Sequence, residues 1–303
     1  MASQLDTSPD DYKEPTDSVG RGPRSEAALT VLRGELPGAL FPLSADAMVI
    51  GRDTDAAISL PDHSLSRQHA RVSRQGGVYT IQDLGSTNGT FVDGMRVAGP
   101  RVLEDGCRVH LSTRTVLHFR LYDAVELAAA CATYALTVRD PLTGVYNRRY
   151  LQERLGSEAA YCRRHCTPLS VIMLDIDHFK RINDQHGHGV GDHALCSLAN
   201  TLSELTRRED VLARYGGEEF ALIVRGIDRQ ETLALAERIR GEVAGRPLPI
   251  ADGSVSFTVS VGVAHCENGD DSTAQRLLEV ADRALYAAKD AGRNLVSIAP
   301  ALG

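Results

Sequence analysis

Two groups of carboxylates stand where packing alone explains them poorly. Asp175 and Asp177 close the largely apolar run Leu169–Ile176, in Met-Leu-Asp-Ile-Asp-His-Phe-Lys. With a strand period of two, both leave the same face, and a carboxylate at the end of a buried strand is costly unless it is paired or metal-bound. Glu218 and Glu219 follow Gly216-Gly217 between two short apolar runs, Val211–Tyr215 and Phe220–Val224. This is a β-hairpin pattern, and the adjacent glycines are expected to supply the positive φ of a tight turn. Taken alone, the two glutamates read equally well as a solvated hairpin tip. With the tip beside the strand end, Asp175 and Glu218 make a site for Mg²⁺, which is held by one or two carboxylates plus substrate phosphates. Such a site takes two ions about 3.5–4 Å apart. Lys180, Lys289 and Arg293 are cations suited to phosphate, the last two expected at i and i+4 on one helix.

A second set of residues suits a phosphorylated side chain, which carries roughly −1.5 to −2 charges and three acceptor oxygens. Arg52 follows Gly51 at a strand end, Ser66-Arg67 lies in a polar loop with His69 two residues on, and Asn88-Gly89 reads as a two-residue hairpin turn. Singly, Asn88 is explained by turn geometry and His69 by a buried bond that pins a loop.

The elements that must carry these residues fall into two patterns. From residue 27 to 121, short β-type segments (Ala28–Leu32, Met48–Ile50, Ala57–Leu60, His69–Val72, Val78–Gln82, Thr90–Val92, Val116–Leu121) alternate with turns, as in an all-β sandwich. Residues 122–139 are Ala-rich and free of Gly and Pro, a helix that serves either as plain linker or as a pairing surface. From residue 140 to 303, helices and strands alternate in an α/β arrangement. Helices are expected at His193–Arg207, Glu231–Val243 and Thr273–Ala291, and strands at Val255–Val263, which alternates without error, and Asn294–Ile298. Residues 1–26 are acidic, poor in large apolar side chains and expected to be disordered; they include Thr7 and Thr16.

The 303 residues, 43% hydrophobic and 24% charged, suit about two globular domains. A net charge of −7 argues against broad nucleic-acid binding. The most apolar stretch, Val125–Val138, is too short to span a bilayer, and the start lacks a secretory pattern. Six scattered cysteines suit a reducing cytoplasm. Cys162, His165 and Cys166 lack a second ligand pair and are not read as a metal site.

Three spaced motifs, Gly51-Arg52, Leu65-Ser66-Arg67-Gln68-His69-Ala70 and Asp83-Leu84-Gly85-Ser86-Thr87-Asn88-Gly89-Thr90-Phe91-Val92-Asp93-Gly94, resemble the forkhead-associated (FHA) domain. That resemblance implies an 11-stranded sandwich whose apical loops bind phosphothreonine peptides through Arg52, Ser66, Arg67, Thr87 and Asn88, with His69 structural. Five further motifs resemble the GGDEF-type diguanylate cyclases: Asp140-Pro-Leu-Thr-Gly-Val-Tyr-Asn-Arg-Arg149, Asp175-Ile-Asp-His-Phe-Lys-Arg-Ile-Asn-Asp184, Gly187-His-Gly-Val-Gly-Asp192, Arg214-Tyr-Gly-Gly-Glu-Glu-Phe220, and the segment Ala281–Asn294. Glu218 stands where the name motif has Asp.

The second resemblance implies a polymerase-palm-like fold and the reaction 2 GTP → cyclic di-GMP + 2 pyrophosphate, run by a homodimer in a bacterial cytoplasm. Asp175, the Ile176 carbonyl and Glu218 would bind Mg²⁺ or Mn²⁺, two per active half-site, with Glu218 activating the 3′-hydroxyl. Asn183 and Asp192 would bond the guanine edge with His188 and Phe179 nearby, and Gly216 and Gly217 would clear room for the nucleotide. Lys180 would stabilise the transferring phosphate, and Lys289 and Arg293 the triphosphate tail. Arg207 and Asp210 match the family's inhibitory product site; a charged helix end is the plain alternative. The phosphothreonine would come from the chain's own tail, at Thr7 or Thr16, or from another protein. A domain that had lost catalysis, or made another cyclic dinucleotide, is the competing reading. The Gly-Gly-Glu-Glu residues and Asp175 are all kept, and Asp192 favours guanine.

Overall fold

The structure, a computed structural model, describes residues 24–34, 36–53, 55–207, 209–251, 253–267 and 274–300. Thr7 and Thr16 lie outside the described residues. Among the described residues, eleven strands precede helix α1 (Ala124–Val138). They are β1 (Glu26–Arg33), β2 (Leu40–Pro42), β3 (Ala47–Gly51), β4 (Ile58–Ser59), β5 (Ala70–Gln75) and β6 (Val78–Asp83). After these come β7 (Phe91–Val92), β8 (Met95–Arg96), β9 (Arg101–Val102), β10 (Arg108–His110) and β11 (Val116–Tyr122).

They form two sheets, ordered β2-β1-β11-β10-β7-β8 and β4-β3-β5-β6-β9, the expected sandwich. Inward residues of both, among them Leu29, Ile50, Val72, Ile81 and Phe119, make one core. Asn88-Gly89 does not close a hairpin as expected. β6 and β7 belong to different sheets, and of the two residues only Gly89 has positive φ (75°). Asp83 instead coils the segment, its carboxylate accepting from the amides of Gly85 and Ser86 and the hydroxyls of Ser86 and Thr90.

Helix α1 (Ala124–Val138) begins at a capping box: the Glu126 amide donates to Asp123 at 2.7 Å, and the Asp123 amide donates back to Glu126 at 3.3 Å. None of its residues is fully buried, but Tyr134 packs against the sandwich core.

The remaining elements are β12 (Tyr146–Asn147), α2 (Arg148–His165), β13 (Leu169–Ile176), α3 (Phe179–His186), α4 (His188–Leu205), β14 (Val211–Arg214) and β15 (Glu219–Arg225). They are followed by α5 (Arg229–Gly245), β16 (Leu248–Ile250), β17 (Gly253–Val255), β18 (Val259–Cys266), α6 (Ala274–Asp290) and β19 (Val296–Ile298). The main sheet runs β12-β14-β15-β13-β18-β19.

Its central strands β13 and β18 are buried throughout because helices cover both faces. Ile172, Leu174, Phe220 and Val261 meet residues of α3, α4 and α5, whereas Val171, Met173 and Ile223 meet α2 and α6. Gly262 lets α6 lie directly on β18: a Cβ there would fall 2.1 Å from the Leu285 amide nitrogen.

Two expectations need correction. The helix expected at His193–Arg207 is α4, which runs His188–Leu205, and a separate helix α3 precedes it. The alternating run Val255–Val263 is broken at residues 256–258. Thr258 leaves the ladder there to serve Asp177: its carbonyl accepts from the Asp177 amide (2.9 Å) and its hydroxyl donates to the Asp177 carboxylate (2.6 Å). Among the described residues, no helix is long and apolar enough to cross a membrane.

Candidate active site and phosphate pocket

Strand β15 pairs along β13, which brings the tip of hairpin β14–β15 beside the strand end that carries Asp175. Asp175 pairs in register with Glu219, and the Ile176 amide donates to the Glu218 carbonyl at 3.4 Å. The amides of Tyr215 and Gly216 both donate to the Glu219 carbonyl (2.7 and 3.2 Å), closing the tip. Neither Gly216 nor Gly217 has positive φ, contrary to expectation. The Glu219 side chain folds over Gly216 instead: a Cβ there would lie 2.4 Å from Glu219 Oε2, and the carboxylate would have to swing aside.

A brace holds this tip. Arg214 donates through Nε and Nη2 to the Gly217 carbonyl (3.2 and 2.7 Å) and through Nη1 to both Asp140 oxygens (3.2 Å each). Asp140 also accepts from the amide (2.9 Å) and hydroxyl (2.7 Å) of Thr143. Burial opposes its charge, yet these donors hold its pKa below the usual carboxylate range. Sequence reasoning quoted Asp140 and Arg214 within motifs but missed their contact. An arginine two residues before the Gly-Gly pair was the available signal.

Lys289 Nζ donates to Asp175 at 2.7 Å. Burial pushes the Asp175 pKa up in spite of Lys289. Burial, then the Asp175 charge, raises Glu218 and Glu219 as well. Three carboxylates therefore share little positive charge, which is chemistry that draws in a cation. No group of three or more His, Cys, Asp or Glu side chains able to hold an ion occurs among the described residues. An ion at Asp175 and Glu218 would take its other ligands from backbone, water and phosphate, as Mg²⁺ does. Asp177, although equally buried, is already saturated by Thr258, by the Ser260 hydroxyl (2.6 Å) and by the Asn294 amide (2.9 Å).

Lys289 and Arg293 do not share a helix. α6 ends at Asp290, and Arg293 sits beyond it with φ 65°, although its charge still acts on Asp175. Lys180 is exposed in the first turn of α3. Three residues further on, about 4.5 Å along the axis, Asn183 faces α4. A Cβ on Gly191 would fall 1.9 Å from Asn183 Oδ1 and 3.2 Å from the Phe179 ring, so the glycine makes room for both. His188 and Asp192 are exposed in the first turns of α4. The base-binding candidates thus adjoin one another across α3 and α4, one helical turn from Lys180.

The residues expected to read phosphothreonine are also brought together. Arg52, Ser66, Arg67, Thr87 and Asn88 line a cavity of about 650 Å³. The Thr87 amide donates to Ser66 Oγ (3.0 Å), and Asn88 Nδ2 donates to the Ser64 carbonyl (2.7 Å). His69 is fully buried as expected, accepting from the Ser66 amide at Nδ1 and bonding the Gly89 carbonyl through Nε2; burial lowers its pKa. Gly51 is required because a Cβ would lie 1.9 Å from the Arg67 carbonyl oxygen. Arg52 Nε is buried without a hydrogen-bond partner.

Residues 137–295 match the family model for the diguanylate cyclase GGDEF domain, and residues 48–112 match that for the FHA domain. The chain belongs to the GGDEF family. Its GGDEF domain follows an FHA domain. Response regulator PleD of Caulobacter vibrioides is 41% identical over 163 residues, 53% of this chain and 36% of PleD. Diguanylate cyclase DosC of Escherichia coli is 40% identical over 160 residues, 52% of this chain and 34% of DosC. The match thus spans little more than a third of those relatives. The coiled coil and GGDEF domain of DgcB from Caulobacter crescentus, solved with c-di-GMP, superposes with a TM-score of 0.54 at 32% identity, covering 57% of this chain and 91% of that one.

Arg207 and Asp210 lie between α4 and β14 of the GGDEF domain. The Arg207 amide donates to Asp210 Oδ2 at 2.8 Å, while Asp210 Oδ1 is buried without a partner. Burial raises the Asp210 pKa. Asp210 lines a cleft of about 840 Å³ together with Tyr134 and Arg139 of the α1 region and Asp55 of the FHA domain.

Proposed function

We propose that this chain condenses two GTP molecules into cyclic di-GMP and two pyrophosphates, and that its FHA domain governs the reaction by reading phosphothreonine. The observation that carries the first part is the meeting of Asp175, Glu218 and Lys289 where the GGDEF hairpin adjoins β13. Asp175, Glu218 and the Ile176 carbonyl would hold Mg²⁺ or Mn²⁺, two per active half-site. Bound there, the metal would polarise the phosphate and acidify the 3′-hydroxyl. Glu218 takes the hydroxyl proton at its carboxylate. Lys180 neutralises charge on the transferring phosphate, and Lys289 and Arg293 hold the triphosphate tail. Asn183 and Asp192 bond the guanine edge, with Phe179 and His188 beside it, and Gly216 and Gly217 leave room for the nucleotide. Each subunit presents one GTP, so a homodimer is the working unit and the bacterial cytoplasm its setting.

Cyclic di-GMP would bind back at Arg207 and Asp210 as a brake, a reading supported by the unpartnered Asp210 oxygen. Phosphothreonine reading rests on the unpartnered Arg52 Nε beside Ser66, Arg67, Thr87 and Asn88. The phosphate donor is the chain's own residues 1–26, at Thr7 or Thr16, or another protein. The functional boundaries follow the pattern: FHA domain 27–121, connecting helix 122–139, cyclase domain 140–303.

Incubation with GTP and Mg²⁺ followed by chromatography tests the enzyme reading. Cyclic di-GMP is the expected product, and its absence even from concentrated, dimer-favouring protein would overturn it. Phosphorylated tail peptides whose binding depends on Arg52 would support the tail as ligand; without such binding, an external phosphoprotein takes its place.

A further inference from the structure

The phosphate pocket borders the GGDEF domain as well as solvent. The Arg164 guanidinium, on the last turn of α2, meets the ring of His63, a residue of the pocket wall. Beside it, a smaller cavity is walled by Arg52 and His63 on the FHA side and by Arg154, Tyr161 and Arg225 on the GGDEF side.

Positive charge from both domains collects here. Burial, then the Arg52 charge, lowers the pKa of Arg164. His165, its ring tilted against Tyr161 with centroids 4.4 Å apart, has a pKa lowered by burial and then by Arg52, Arg164, Arg225 and Arg67. Countercharge is scarce. Glu158 is committed to Arg154 (2.5 Å) and Arg225 (2.8 Å), and Asp53 is the carboxylate on the pocket wall. Arg52 Nε still has no partner. Guanidinium groups drawn from two domains repel one another unless an anion lies between them.

We propose that the phosphate site is composite: a phosphothreonine held by Arg52, Ser66 and Arg67 is also gripped by Arg164 of α2, so that the bound peptide fastens the FHA domain to the GGDEF domain. The inference rests on the phosphothreonine reading proposed above. A phosphate of about −1.5 to −2 charge converts the repulsion between Arg52 and Arg164 into shared attraction. The docked arrangement then binds the ligand better than an undocked one, and ligand shifts the population toward docking. The element it fastens, α2, packs on β14 and β15, the two strands of the GGDEF hairpin.

The test uses the full-length chain with a degenerate phosphothreonine peptide pool and with tail peptides phosphorylated at Thr7 or Thr16. Wild type is compared with Arg52→Ala, Arg164→Ala and Arg164→Lys. A donor–acceptor dye pair across the two domains reports their separation. Arg164→Ala is expected to weaken peptide binding about ten-fold, the loss of one charge-assisted hydrogen bond, and Arg164→Lys by less. Peptide should narrow the interdomain distance distribution in wild type and leave Arg164→Ala unchanged. Arg164 is exposed, so a thermal melt without peptide should confirm that its variants are folded. Arg52-dependent binding that is equally tight in Arg164→Ala would overturn the composite site and leave FHA reading intact. If no peptide binds wild type in an Arg52-dependent way, the phosphothreonine reading falls and this inference with it.

Discussion

Replacing Arg214 by alanine would cut the brace between the GGDEF tip and Asp140. Arg214 donates to the Gly217 carbonyl and to both Asp140 oxygens, and the side chains of this ion pair are each 17% exposed. An exposed ion pair contributes about 0–1 kcal/mol, and breaking a fully buried one costs about 3–5 kcal/mol. At this degree of burial a loss of about 2 kcal/mol is expected, which lowers Tm by about 4–8 °C in a domain of this size. The loss of rate should exceed what that stability change explains. Glu218 follows Gly217 directly, and a reacting group displaced by about 1 Å costs about 100-fold. Pyrophosphate release at saturating GTP, measured where melts show the variant folded, gives kcat. Arg214→Lys keeps a charge for Asp140 but cannot fork to both partners, so it should restore Tm more than kcat. A folded Arg214→Ala protein with wild-type kcat would refute the positioning role.

Glu218→Gln should abolish turnover yet raise Tm at pH 7, because burial and Asp175 disfavour the Glu218 charge in the folded state. That penalty is present above the raised folded pKa and fades as pH falls through it, so the gain in Tm should shrink toward acid pH. Gly191→Ala should raise KM for GTP about ten-fold or more while changing Tm little, since the added methyl collides with the movable Asn183 side chain and the position is helical. Asp83 has a pKa lowered by the Ser86, Thr90 and Gly85 donors, which outweigh burial. Its contribution to stability is therefore full above the ordinary aspartate value of about 4 and lost as pH falls through the lowered one. Urea melts from pH 3 to 7 should show a weaker acid dependence in Asp83→Asn.

Where one physical requirement dominated, the sequence was a sufficient guide. A buried central strand needs unbroken apolar character, so β13 and the placement of Asp175 were readable. The hairpin was readable from two apolar runs around glycine. The conformation of the glycines was not: a Gly-Gly pair suggests positive φ, yet neither adopts it, and the Glu219 carboxylate folds over Gly216 instead. The break before β18 was invisible because Val255, Phe257 and Val259 keep perfect alternation while Thr258 is diverted to Asp177. Asp175 and Asp177 looked equivalent by spacing, and the difference lies in donors more than 80 residues away in the chain. Helix ends are poorly specified by pattern, which is why Arg293 was read onto α6. The Arg164–His63 meeting joins positions 101 residues apart in different domains, and no local pattern encodes it.

Gly262 carries a consequence for the reaction it never touches. Its missing side chain sets how closely α6 rests on β18, at the turn formed by Ala281 and Leu285. Lys289 stands one turn further along the same helical face, with its ammonium on Asp175. A methyl group at position 262 would act as a shim under the helix and tilt the lysine away from the carboxylate while every charged residue stayed in the sequence. The reach of the ammonium is thus gauged by an empty volume between a strand and a helix, and a domain could lose its chemistry by gaining an atom there.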